Sequence, residues 1–306
     1  MILRGTVKSN PSTVVAVCWA LGAALIFTLV FASGKFVSAQ ANPMQVVFMR
    51  YAGAAVVISL VVLMFHGGFS KVRSTMPVLH VARAVSGVTG ELCIIAAPLF
   101  IDYEDATAIT LTNGVIAMIL AVFLLKERAG PKHWCAAMIC LAGAMLIARS
   151  EAGSAGDGSA TLGVGIALFG AMLSGAELFF IKLLTDRERP IVIMLHVNII
   201  AVFMLAAPTI WLWQPLGGAS LLWLICIGPL ALLGQLCWIR AFQNADAVVV
   251  VPVGYASVPI AAVLGFLAFG QSLGPVQALG GLLVVAGGVL LSRLPASQPA
   301  RPQEAQ

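Results

Sequence analysis

The sequence predicts an all-α integral membrane protein of ten transmembrane helices, arranged as two inverted five-helix repeats. Three observations lead there. The 306 residues are 60% hydrophobic and 9% charged, with a mean hydropathy of +1.02, whereas a soluble domain carries roughly 25% charged residues. No soluble fold of this length has an interior that hides so much apolar surface, so a bilayer must serve as the apolar solvent. Apolar runs recur at close to spanning length, with Lys and Arg gathered in alternate connections. One half of the chain also nearly repeats the other.

The first apolar run, 14–36, follows Arg4 and Lys8. It outruns the roughly 7–15 residues of a secretory leader's core, so it reads as a helix. Runs 44–65, 79–101, 105–125 and a shorter 133–148 complete a first unit over 14–148. The linker 149–160, R-S-E-A-G-S-A-G-D-G-S-A, is small and polar, as a flexible join should be. Runs 161–183, 190–211, 219–242, 246–269 and 275–292 form a second unit over 161–292. The Pro- and Gln-rich tail 293–306 reads as disordered.

With the N-terminus in the cytoplasm, Arg4, Lys8, Lys71, Arg73, Arg83, Lys126, Arg128, Lys132, Lys182, Arg187, Arg189, Arg240, Arg293 and Arg301 fall on the inner side. Only Lys35 and Arg149 reach the outer ends. That bias places both termini in the cytoplasm; a bacterial inner (cytoplasmic) membrane is the expected location. The formal charge of +5 therefore concerns orientation. No aromatic-basic patch suggests nucleic acid. The six cysteines all lie in apolar runs and read as packed free thiols.

The repeat holds one register. At an offset of 144 residues, Glu91-Leu92-Cys93 matches Gln235-Leu236-Cys237, Asp102 matches Asp246, and Gly130-Pro131 matches Gly274-Pro275. Residues 142–149, A-G-A-M-L-I-A-R, match 286–293, A-G-G-V-L-L-S-R. Earlier in each half the offset is 147: Lys35 with Lys182, Pro43 with Pro190. Five spans per half is an odd number, so the second half lies upside down relative to the first.

Charges inside apolar runs mark the candidate site, because an ionised side chain at mid-bilayer costs about 2.5–3.5 kcal/mol. Glu91 and Arg50 lie at similar depths, so an ion pair between them is open. It either locks two helices together or meets a substrate or coupling proton. Glu177, His196, Asn198, Gln235 and Arg240 cluster by depth toward the cytoplasmic side. Glu177 and His196 are the candidates for proton coupling, since burial raises a carboxyl pKa and His titrates near neutrality. Thr107, Thr110 and Asn113 fall on one helical face, and Tyr255 and Ser257 lie between Pro252 and Pro259. These could line a cavity, with Trp19 and Trp238 as aromatic walls; back-bonded threonines and close helix packing are the alternative. Trp134, Trp211, Trp213 and Trp223 read as interfacial anchors.

On three stretches the chain resembles the EamA type of ten-helix carrier in the drug/metabolite transporter superfamily. These are N-P-M-Q-V-V-F-M-R-Y (42–51), D-A-T-A-I-T-L-T-N-G-V-I-A-M-I-L-A-V-F-L-L-K-E-R (105–128) and P-V-G-Y-A-S-V-P-I-A-A-V-L-G-F-L-A-F-G-Q (252–271). Gln271 stands where the second copy often has Glu, and Asn113-Gly114 where the first often has Pro. The resemblance implies an alternating-access secondary carrier with a central cavity. It would export a small polar or amphipathic metabolite, amino-acid-like at first reading, or take up an aromatic one such as riboflavin or S-adenosylmethionine. Arg50, Glu91, Thr110, Asn113, Gln235, Trp238, Tyr255 and Ser257 are its substrate-binding candidates, with H+ as candidate coupling ion. No cofactor is expected. His66, His80 and His133 lack metal-ligand spacing and no nucleophile motif occurs, which argues against an enzyme. Duplication favours a carrier over a passive channel.

Overall fold

Prolines set where the helices begin. Lacking an N–H and fixed near helical φ, proline suits a helix's first position, and five helices start on one. In the computed structural model the helices are α1 (Thr13–Val37), α2 (Pro43–Phe65), α3 (Pro77–Ala96), α4 (Thr112–Leu124), α5 (Pro131–Arg149), α6 (Ala160–Thr185), α7 (Pro190–Trp211), α8 (Gly218–Asn244), α9 (Ala247–Val253), α10 (Ser257–Phe269) and α11 (Pro275–Arg293). The structure describes residues 13–37, 42–101, 106, 109–127, 129–149, 160–269 and 274–293. The interior of the 149–160 linker, the tail past Arg293, the acidic loop 102–105, Thr107 and Gln271 lie outside the described residues.

No strand occurs among the described residues. Seven of the described helical segments are long and apolar enough to cross a membrane, the segment Ala247–Leu264 among them; Thr112–Leu124 and Ala278–Leu290 are shorter apolar helices. Two expected spans are interrupted. Between Pro252 and Pro259 the helix tightens to a 3-10 turn, Gly254–Ala256, separating α9 from α10. Pro259 has no N–H to offer the carbonyl of Tyr255, so the regular ladder fails there. In the first half the chain turns at Leu111, before α4, and Leu111 is the offset-144 equivalent of Tyr255. The third expected span also leaves the α-helix early, as a 3-10 turn at Ala97–Leu99 around Pro98.

The two halves interdigitate. The most extensive pairings are α3 with α6, α1 with α8, and α5 with α11, each joining one half to the other. Small residues bring these backbones close. A Cβ at Gly90 would lie 2.8 Å from Ser174 Oγ and 3.3 Å from the Gly170 carbonyl, and one at Gly143 would lie 2.6 Å from the Gly280 carbonyl.

Connections gather at two ends. At one end Glu188 accepts from Ser74 Oγ and the Thr75 amide, both at 2.7 Å. At the same end Glu127 accepts from the Ala247 and Val248 amides at 3.1 Å, capping α9 from another helix's end. Lys182 Nζ donates there to the Phe242 and Ala245 carbonyls at 3.1 and 3.2 Å. At the opposite end Gln45 Nε2 donates to the Gln214 carbonyl at 2.8 Å, and Gly163 packs on Phe100 and Ile101.

Gly143→Ala is expected to destabilise the protein by about 1–3 kcal/mol, the cost of overpacking. Gly288→Ala, whose Cβ would meet nothing within 4 Å, should instead be neutral or stabilise by up to about 1 kcal/mol. Thermal unfolding in detergent checks both.

Candidate functional site

Pro77 starts α3, so Arg83 enters the helix six residues on, about 9 Å deep at 1.5 Å per residue. It is 1% exposed. Its Nη1 donates to the Ile193 carbonyl of α7 at 3.4 Å, and its Nε faces Glu177 Oε1 of α6 at 4.0 Å. Glu177 can lie there because its partner helix offers no side chain at Gly87, where a Cβ would sit 2.7 Å from the carboxyl carbon. Two turns along α3, Glu91 pairs with Arg50 of α2. The Arg50 guanidinium also stands 4.1 Å over the Tyr51 ring, a cation–π arrangement. Glu177 lies within electrostatic reach of Arg50 and Glu91 as well as Arg83.

Two arginines and two glutamates thus sum to zero charge in one buried cluster between α2, α3 and α6. It is not saturated. The Nε atoms of both Arg50 and Arg83 are buried with no hydrogen-bond partner, while the Glu177 side chain keeps 27% of its surface. Such a cluster can exchange an internal ion pair for a ligand's charged groups.

Asn198 and Gln235, buried on α7 and α8, are joined by a 2.9 Å bond from Asn198 Nδ2 to Gln235 Oε1. Of the two proton-coupling candidates, Glu177 turns to Arg83, whereas His196 stacks on His80 with ring centres 4.7 Å apart. His196 Nδ1 meets the Val192 carbonyl at 2.8 Å. Thr110 Oγ1 donates to the Ala106 carbonyl at 2.8 Å, the back-bonded arrangement. The Asn113 carbonyl backs on Gly175, and the buried Tyr255 hydroxyl packs on Gly114 at the joint of the two interrupted spans. Ser257 offers its carbonyl to Thr28 Oγ1 at 3.4 Å. Trp238 stacks on Phe242 and presses its ring edge on Gly254, while Trp19 is 37% exposed.

Arg83, Tyr51, His80 and Glu188 were not singled out as site residues from the sequence. The Pro77 boundary was the available signal for Arg83, since it puts that residue inside the helix and not in the basic loop. His80 is fully buried and meets Glu188 Oε2 at 2.6 Å. Burial alone would push the Glu188 carboxyl up, but hydrogen bonds from Ser74, His80 and the Thr75 amide outweigh it and hold the pKa at about 2. Burial, then the neighbouring Asp246, pushes the Glu127 carboxyl above its ordinary value, against the pull of Lys182.

Interlocked apolar helices around a buried, charge-balanced centre define a class: an integral membrane transporter. The EamA-like transporter family matches the chain twice, over residues 14–149 and 161–293, and the chain belongs to that family. A pseudopaline exporter of Pseudomonas aeruginosa, CntI, is 27% identical over 89% of this chain and 93% of its own. A riboflavin transporter of Rhizobium johnstonii is 28% identical over 74% of each, and one of Vibrio cholerae 27% identical over 82% of this chain and 84% of its own. A crystal structure 17% identical covers 92% of this chain and 98% of its own with a TM-score of 0.78, which shows the shared fold. The family and these relatives are transporters, not enzymes.

Glu188 generates a pH prediction. Its folded pKa lies below its ordinary value of 4.5, so the stability it lends is complete above pH 4.5 and drains as pH falls toward about 2. Glu188→Gln should flatten that acid limb of the unfolding midpoint, at the cost of a lower midpoint at pH 7. An unchanged acid limb would contradict the assignment.

Proposed function

We propose that the chain is a secondary transporter working by alternating access, with ten membrane-crossing segments in two inverted halves. Its basic end and both termini face the cytoplasm. The observation that carries this reading is the charge-balanced cluster of Arg50, Arg83, Glu91 and Glu177 between helices of both halves. Charges are tolerated in a bilayer where they pair or face a hydrated path. Two features support the inverted repeat. Exchanging each span for its equivalent turns the α3–α6 pairing into α8–α1 and maps α5–α11 on itself. The helix breaks also fall at equivalent residues, Leu111 and Tyr255. Two such halves offer two states of similar energy, open to opposite sides.

The substrate is a small polar or amphipathic metabolite carrying both charge signs, such as an amino acid, moved outward. Its acidic group would take the free Nε edges of the arginines and its basic group the Glu91 or Glu177 carboxylate. Gln235, Asn113, Thr110 and Ser257 add polar contacts, and Glu177 or His196 takes the coupling proton. A second reading, an aromatic substrate such as riboflavin, has the support of the riboflavin transporters' similarity and of the Trp238–Phe242 stack beside Gly254.

Counterflow tests the mechanism. Liposomes preloaded with unlabelled substrate should accelerate uptake of label, whereas equal rates with and without preload would indicate a channel. Arg50→Ala and Glu91→Gln should each insert correctly yet lower transport on the order of tenfold or more; full activity in both would remove the cluster from the pathway.

A further inference from the structure

Outside the charged cluster, α2, α7 and α8 enclose a groove of about 570 Å³ near the basic end. Its origin is geometric. α2 and α8 touch backbone to backbone where Gly53 meets Gly228; a Cβ on Gly228 would lie 2.6 Å from the Ala54 amide. The next residue, Pro229, interrupts the α8 ladder. From there toward the basic end the walls are aliphatic: Val57, Ile58 and Val61 from α2, Met194 from α7, Leu232 and Leu236 from α8. At the mouth the lining changes to His66, Arg189 and Arg240. Both arginines are exposed, and none of the ion pairs found among the described residues involves either of them. The Arg240 guanidinium donates to the neutral Gln243, at 3.4 Å.

We infer that this groove is a binding site for an anionic phospholipid of the leaflet at the basic end. Three features match that occupant. The aliphatic floor runs from Pro229 to Arg240, about 16 Å at 1.5 Å per residue, close to half of a roughly 30 Å hydrocarbon core. One acyl chain of one leaflet therefore fills it, and the arginines stand at headgroup height. Basic pockets between transmembrane helices are suited to acidic headgroups, while a zwitterionic lipid, whose own cation offsets its phosphate, gains less from the two arginines. The groove's walls come from both halves of the chain. A bound lipid would bridge them at the seam where α2 and α8 separate.

The groove, the charges and the lipid class do not depend on the transport reading; naming the leaflet cytoplasmic rests on the proposed orientation. Native mass spectrometry of the full, delipidated chain in detergent tests the site without any transport assay. Phosphatidylglycerol should be retained over phosphatidylcholine with identical chains. Arg189→Gln combined with Arg240→Gln should lower phosphatidylglycerol affinity roughly 30-fold, about fivefold per arginine, and affect phosphatidylcholine far less. Leu233→Trp, on the lipid-facing lip of the groove, should weaken phosphatidylglycerol binding with both arginines intact. Inorganic phosphate at millimolar concentration should not displace the lipid. Equal retention of the two lipids, or an unaltered double variant, would overturn the site. Indifference to Leu233→Trp would reduce it to diffuse charge attraction, and displacement by phosphate would make it a free-anion site; either overturns the proposal. If the double variant fails to fold, each single substitution should still read the fivefold loss.

Discussion

This structure turns on one constraint: four ionisable side chains inside an apolar bundle must pair with one another. Each costs about 2.5–3.5 kcal/mol at mid-bilayer, so four together rival a typical folding stability of about 5–15 kcal/mol. Arg50 on α2, Arg83 and Glu91 on α3, and Glu177 on α6 solve the problem jointly. Because α6 begins the second half, the solution binds the halves together. Gly87 and Gly90 make it possible by letting α6 approach α3 closely enough for Glu177 to reach the cluster. A charge network that spans halves is also one whose pairing changes if the halves rock, which is how a structural ion pair can become part of a transport cycle.

The interrupted spans supply the second ingredient. At Gly254–Ala256 and at Leu111 the backbone leaves the regular helix, and the Tyr255 hydroxyl seats on Gly114 where the two segments meet. Irregular backbone at membrane depth is tolerated where protein buries it or where it lines a cavity. The basic end is held differently, by carboxylates on backbone amides. Glu188 caps the start of α3 and Glu127 the start of α9, each reaching from a neighbouring element. These cross-links fasten one end of the bundle, while Gln45 with Gln214 is a lighter tie at the other.

Much of this was legible in the sequence, for identifiable reasons. Spans could be placed because hydropathy marks them and because Pro43, Pro77, Pro131, Pro190 and Pro275 stand at helix starts. The Arg50–Glu91 pair could be anticipated because depth along a helix is arithmetic. Rotation about a helix axis is different. These helices are apolar on nearly every side, so nothing in their composition records which face turns inward. That is why the facing of Glu177 toward Arg83 and the burial of His80 against Glu188 had no signal in the sequence. The break at Gly254 was foreshadowed by its flanking prolines; the turn at Leu111 had no such marker and is recognised through its repeat equivalent.

The most direct test of the central claim is a double-mutant cycle on Arg50→Met and Glu91→Leu, read by unfolding in detergent micelles. If mutual neutralisation holds the bundle, each single substitution strands a buried charge and costs about 3–5 kcal/mol. The double substitution should then cost far less than their sum and leave the protein more stable than either single variant. Simple additivity of the two losses would contradict the account.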